Sequence, residues 1–145
     1  MAEKTINLSG KQIVDGLNQQ KAQLDAIQRG MASIQGLIQE LFFAKESIKA
    51  IKKTKKGEKS LIALGAGVFL EMKVDETTKV KRSIAGNILI DSKIDAALEE
   101  LEKQEKEATE KLQQLYKQQE SIQANMNTLT RIITEAQKAR QEQAK

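Results

Sequence analysis

A chain of 145 residues with 30% charged and 3% aromatic residues, and with no Trp, Pro, Cys or His, cannot build a thick aromatic core, a disulfide framework or a zinc site of the Cys/His kind. The loss of His also removes the commonest general base, so no catalytic, metal or cofactor residues are expected and the chain reads as no enzyme. Its net charge of +4 is a mild basic excess and no strong pointer to an acidic partner.

The opening stretch MAEKTINLSGKQ holds no apolar run of the kind a signal peptide needs. No apolar stretch reaches the ~20 residues of a membrane span. A soluble, cytoplasmic chain with no membrane partner is expected.

Ser9 followed by Gln12 is a capping-box pattern at a helix start. From there Ile13, Leu17, Leu24, Ile27, Met31, Ile34, Ile38, Leu41 and Ile48 recur at steps of four and three. Gln20 and Lys45 interrupt this apolar seam without shifting it. A sustained 3.5-residue period predicts a coiled-coil helix. Gly16, Gly30 and Gly36 make it the softer of two helices. The run fades in IKKTKKGEK, where Gly57 offers a stop, giving a first segment of residues 9–57. Lys52, Lys53, Lys55, Lys56 and Lys59 suit a solvated helix end and its dipole. A nucleic-acid surface would add aromatic stacking or a known fold, and no nucleic-acid partner is expected.

Residues 58–91 break the period. Leu61, Ile62 and Leu64 form a short apolar run, and residues 67–74 alternate. Asp75-Glu76-Thr77-Thr78 is a polar turn, Val80, Arg82 and Ile84 alternate again, and Gly86-Asn87 precedes Ile88-Leu89-Ile90. This predicts four short strands in two hairpins. Gly65-Ala66-Gly67 lacks the third glycine and the Lys-Ser/Thr ending of a phosphate loop and fits a tight strand turn. A sheet this small has open edges and cannot bury both faces alone. Strands from other chains are expected to complete its barrel, through Leu61, Ile62, Leu64, Val68, Leu70, Met72, Val74, Val80, Ile84, Ile88 and Ile90.

The third segment is residues 92–142. Ser92, with Asp95 three residues on, predicts an N-cap. Ile94, Leu98, Leu101, Ala108, Leu112, Leu115, Ile122, Met126, Leu129, Ile133 and Ala136 then keep four–three phase, with Glu105 and Gln119 as polar seam positions. Two helices of about 45–50 residues, each about 70 Å long, with a compact insert between them predict an antiparallel pairing. The expected fold class is mostly α: a long antiparallel coiled-coil hairpin with a four-stranded insert of two β-hairpins that completes an intersubunit β-barrel.

Some apolar residues fall off the seam. Val14 and Ile132 lie beside it near the termini, and Ile6 and Leu8 precede the first helix. They either widen the seam into a shallow apolar groove or, for Ile6 and Leu8, staple the helix start. Leu37, Phe42 and Phe43 fall off the seam near the insert, to pack against a neighbouring subunit, against their own strands, or both.

The order helix, double β-hairpin, helix resembles alpha-type subunits of the prefoldin family. The resemblance is carried by LIALGAGVFLEMKVDETTKVKRSIAGNILIDSKIDAALEELEK, residues 61–103, with its strand, Gly-x-Gly, strand opening and its acidic, Leu-rich helix start. The chain departs from the family at Ala63, where a proline is common, and in its basic stretch near residues 52–59. The resemblance implies an ATP-independent chaperone without cofactor or catalytic residues. It implies two alpha-type subunits joined by four beta-type subunits, with coiled coils projecting from a double β-barrel. Their distal ends would grip non-native proteins and deliver them to a group II chaperonin in the cytosol. The client-binding residues expected on that basis are Ile6, Leu8, Ile13, Val14, Leu17, Leu129, Ile132 and Ile133. The alternative is a self-assembling coiled-coil structural protein, joined by its hairpins into homo-oligomers or filaments.

Overall fold

A computed structural model describes residues 9–143, so Ile6 and Leu8 lie outside the described residues. The order is α1 (Gly10–Lys53), β1 (Lys59–Gly65), β2 (Val68–Lys73), β3 (Lys79–Ala85), β4 (Ile88–Lys93) and α2 (Ile94–Gln143). The fold is two long helices with two antiparallel β-hairpins between them. The chain divides into two compact units, Met1–Gln35 with Glu110–Lys145, and Gly36–Thr109.

The capping box forms as the sequence predicts. The Ser9 N–H donates to Gln12 Oε1 at 2.8 Å, and the Gln12 N–H donates to Ser9 Oγ at 3.3 Å. Two otherwise orphaned donors of the first turn are thereby satisfied.

In the first unit the helices pair antiparallel. A Cβ built on Gly16 would lie 3.8 Å from Leu129 Cδ1, and one on Gly30 would lie 3.5 Å from Leu115 Cδ1. Met31 is buried, and Ile13, Leu17, Leu24, Ile27, Ile34, Leu112, Leu115, Ile122, Met126, Leu129 and Ile133 are half-buried. The 3.5-residue spacing thus marks the covered stripe, except that Ala136, in phase with it, is exposed. Off the seam, Gln35 Nε2 donates to the Tyr116 hydroxyl at 3.2 Å. Both glycine separations are ordinary van der Waals distances, and nothing lies within 4 Å of a Cβ on Gly36. Alanine therefore fits all three places. Gly16→Ala, Gly30→Ala and Gly36→Ala are each expected to stabilise α1 by about 1 kcal/mol, read as a raised midpoint in urea unfolding.

In the second unit Leu41, Ile94, Ala97 and Ala108 are buried. Of the four polar interruptions of the seam, two meet here: Lys45 Nζ pairs with Glu105 Oε2, their side chains only 11% and 28% exposed. Nearer the strands, Lys52 Nζ lies 2.6 Å from Asp95 Oδ1. Asp95 sits in the first turn of α2 and Lys52 in the last turn of α1, so each charge also suits its helix dipole.

Two local expectations are corrected. Helix α1 stops at Lys53, before Gly57, with Thr54 Oγ1 donating to the Ala50 carbonyl at 2.9 Å. Gly57, at φ +86°, serves the turn into β1 instead: its N–H donates to the Val74 carbonyl at 2.7 Å, and the Val74 N–H donates to the Glu58 carbonyl at 2.8 Å. Ser92 is no N-cap. It lies in β4 opposite Val80, and its hydroxyl is 3.4 Å from the Lys93 carbonyl. Strand pairing continues to Lys93 and α2 follows at once, with the Ile94 N–H held by the Thr78 carbonyl at 3.0 Å.

The two hairpins are one device built twice, twenty positions apart. Lys59↔Lys73, Leu61↔Glu71, Ile62↔Leu70 and Ala63↔Phe69 in the first correspond to Lys79↔Lys93, Lys81↔Asp91, Arg82↔Ile90 and Ser83↔Leu89 in the second. Each has a register shift just before its turn, at Leu64 and at Ile84. The turns differ. Ala66 and Gly67 both have positive φ, +50° and +77°, the pattern of a type I′ turn, whereas Gly86 at φ +51° precedes an Asn87 of ordinary φ, the pattern of type II′. Ala66 is a poor resident of the left-handed region, so Ala66→Asn is expected to stabilise the hairpin by roughly 1 kcal/mol; urea unfolding checks it.

Candidate functional site

Opposite residues of an antiparallel pair share a face. In the first hairpin Ile62, Leu70 and Met72 lie on one face with Ser60, and Leu61, Ala63 and Phe69 lie on the other with Lys59, Glu71 and Lys73. In the second, Val80, Arg82, Ile88 and Ile90 share a face with Ser92, while Lys79, Lys81, Ser83, Leu89, Asp91 and Lys93 share the reverse. Of the residues expected at the assembly joint, Leu61, Ile62, Leu64, Val68, Leu70, Met72, Ile84, Ile88 and Ile90 are exposed; Val74 and Val80 are half-buried. Leu61 stands on the reverse of the first hairpin from Ile62. Leu64 and Ile84 occupy the register shifts. Two exposed apolar residues escaped the sequence reading, Phe69 and Leu89. Strict alternation assigns them to the charged faces of Glu71 and Asp91, and nothing in the local pattern distinguishes them.

Both hairpin carboxylates are paired, whereas Arg82 Nε is buried without a hydrogen-bond partner. Asp91 has Lys81 directly opposite, at 2.8 Å, and this ammonium holds its carboxyl below the usual range, first by hydrogen bonding and then by its charge. Glu71 has Leu61 opposite and reaches diagonally to Lys59 at 2.7 Å. Between the hairpins, Glu76 Oε1 accepts from the Thr78 hydroxyl at 2.6 Å and from the Thr78 N–H at 2.7 Å, which lowers its pKa.

The described residues among those expected to bind clients, Ile13, Val14, Leu17, Leu129, Ile132 and Ile133, fall in the first unit. The register set by Gly16 against Leu129 brings Ile13 and Val14 level with Ile132 and Ile133. Val14 and Ile132 are 47% and 37% exposed, flanking the half-buried Ile13, Leu17, Leu129 and Ile133. In the second unit Leu37, Phe42 and Phe43 are exposed, Phe43 at 66%. They are thus little covered by their own strands. Among the described residues no group of acidic residues could hold a metal ion, and no helix is long and apolar enough to cross a membrane.

Two long helices joined by a pair of hairpins, each with an exposed apolar face, define the class: a coiled-coil protein with a double β-hairpin insert. The prefoldin subunit family model matches residues 20–139. The chain is 32% identical over 130 residues to prefoldin subunit alpha 1 of Methanocaldococcus jannaschii, covering 85% of this chain and 84% of that one. It is 28% identical over 109 residues to prefoldin subunit alpha of Thermofilum pendens, covering 75% and 77%. Among solved structures, filamentous PFD from Methanocaldococcus jannaschii has the same fold at a TM-score of 0.67 and 22% identity, covering 80% of this chain and 96% of that one. The chain belongs to the prefoldin family, as a subunit of alpha type.

Proposed function

We propose that this chain is a subunit of an ATP-independent holdase. It captures non-native proteins on the apolar residues near the start of α1 and the end of α2, and hands them to a group II chaperonin in the cytoplasm. Two copies join four beta-type subunits through their hairpins, which complete a shared β-barrel. The observation that carries the reading is the exposure of Val14 and Ile132 beside a seam that is itself only half covered. Such a strip offers shallow apolar contact without a shaped pocket. Weak contacts of this kind gain by avidity when several coils engage one client.

The triple variant Val14→Ser, Leu129→Ser and Ile132→Ser tests it. Suppression of client aggregation is expected to fall severalfold while the native mass of the assembly holds. Undiminished suppression overturns the assignment of the client surface.

A second reading is a homo-oligomer or filament joined through the hairpins. Its support is that each chain carries two hairpins with exposed apolar faces, and that the similar solved structure is of a filamentous PFD. Native mass, with and without a beta-type partner, separates the two. A single closed mass with the partner favours the chaperone assembly, and a ladder of masses from the chain alone favours the filament.

A further inference from the structure

The hairpins repeat each other, and the positions where they differ are informative. The charged face of the second carries Lys79, Lys81, Asp91 and Lys93, which water solvates well, around a single exposed large apolar residue, Leu89. At the equivalent places the first hairpin has Lys59, Leu61, Glu71 and Lys73, so Leu61 stands where its twin has a lysine. Leu61 is 66% exposed, and Phe69 beside it is also exposed. A β-sheet joint covers the edges and one face of a hairpin. If it covers Ile62, Leu70 and Met72, then Leu61 and Phe69 stay in water and need another cover.

Helix α1 carries a matching orphan surface. Phe42 and Phe43 are both exposed, with ring centroids 5.8 Å apart in an edge-to-face arrangement. Phe43 is two residues from both Leu41 and Lys45 of the seam, about 200° round the helix, and so faces outward. The chain has three Phe, and all three are exposed. Glu40 and Glu46 border the pair at helical spacing, with Glu46 bonded to Lys49 at 3.0 Å. On the hairpin side Lys59 and Lys73 stand directly opposite each other, an unfavourable like-charge pair with Glu71 as its near carboxylate. The two apolar surfaces therefore have rims of opposite net sign, two carboxylates to one ammonium on the helix and two ammoniums to one carboxylate on the hairpin.

We propose that the Leu61–Phe69 face of the first hairpin docks on the Phe42–Phe43 patch of a second copy of this chain, with Lys59 and Lys73 over Glu40 and Glu46. The inference rests on the hairpins being the assembly joint and adds a helix contact to it. Reach is sufficient: Phe43 lies ten residues before the end of α1, about 15 Å, and a seven-residue strand extends about 23 Å. In a two-fold pair the contact is made twice, each copy lending its hairpin and receiving its partner's.

The absence of Cys from the chain makes single thiols clean reporters. Glu46→Cys and Lys73→Cys, purified separately and mixed, are treated with a short bismaleimide. The control mixes Glu46→Cys with Lys93→Cys, the equivalent residue of the second hairpin. The expected result is a covalent dimer at least about tenfold more abundant for the 46/73 mixture, falling to the control level when Leu61→Lys is added. A tenfold ratio corresponds to about 1.4 kcal/mol of contact preference. Equal yields in the two mixtures overturn the inference. Native mass on the same samples separates the causes: an oligomer without the 46/73 product sinks this contact alone, and a monomer sinks the hairpin joint with it. If added beta-type subunit lowers the 46/73 product to the control level while native mass shows it bound, the occupant is that subunit and the second-copy assignment falls.

Discussion

A chain carrying Leu70→Asp and Ile90→Asp is expected to run as a helical monomer in native mass measurements. Both residues lie on the apolar faces of their hairpins, opposite Ile62 and Arg82, and both are exposed in the single chain. Covering a Leu or Ile side chain in a joint contributes about 1.5–3 kcal/mol. Leu70 and Ile90 have 46% and 37% of their surface left to cover, so losing two weakens association by about 1–2.5 kcal/mol, roughly tenfold to a hundredfold in Kd. Each introduced carboxylate adds the cost of losing its water. The isolated chain barely registers the change, because exposed positions tolerate substitution within about 0.5 kcal/mol. Circular dichroism is thus expected to keep its helical amplitude while the mass drops. An unchanged mass means that the hairpin faces are not the joint.

The second large effect concerns the seam. Glu105→Ala is expected to destabilise the helix pair by about 3 kcal/mol, since it leaves the nearly buried Lys45 ammonium without its partner. The double change Lys45→Met with Glu105→Leu is expected to unfold at higher urea than the parent, by about 1 kcal/mol or more, because apolar packing replaces two desolvated charges. The pair is then a device for alignment. A seam of Leu and Ile tolerates sliding by a heptad, whereas one alignment alone sets Lys45 beside Glu105. Urea midpoints of the three chains check it; a double variant weaker than Glu105→Ala contradicts it.

How much of this was legible depends on the range of the interaction. The seam was, because burial alone imposes the 3.5-residue period, and from Ile13 to Ile133 the in-phase residues are covered. The two hairpins were, because alternation and Gly-containing turns are local. Ser92 misled because an N-cap and a strand residue look alike until its pairing with Val80 is known. Lys45 and Glu105 were visible as interruptions, but their partnership depends on a register that no single helix contains. Phe69 and Leu89 were lost because alternation hands them to the charged side. For the proposed client surface, sequence could name Val14 and Ile132 as off-seam, and the structure adds their exposure. Ile6 and Leu8 lie outside the described residues.

The antiparallel register also orders events in time. Partners across the two helices are 43 positions apart at Lys52 and Asp95, 60 at Lys45 and Glu105, and 81 at Gln35 and Tyr116. Closing each longer loop costs more chain entropy unless the shorter one is already shut. The helices therefore zip from the strand-proximal pairs toward the termini and fray in reverse. Amide exchange is expected to slow from Gly16 toward Leu41, so the stretch assigned to gripping clients is also the last to close and the first to open.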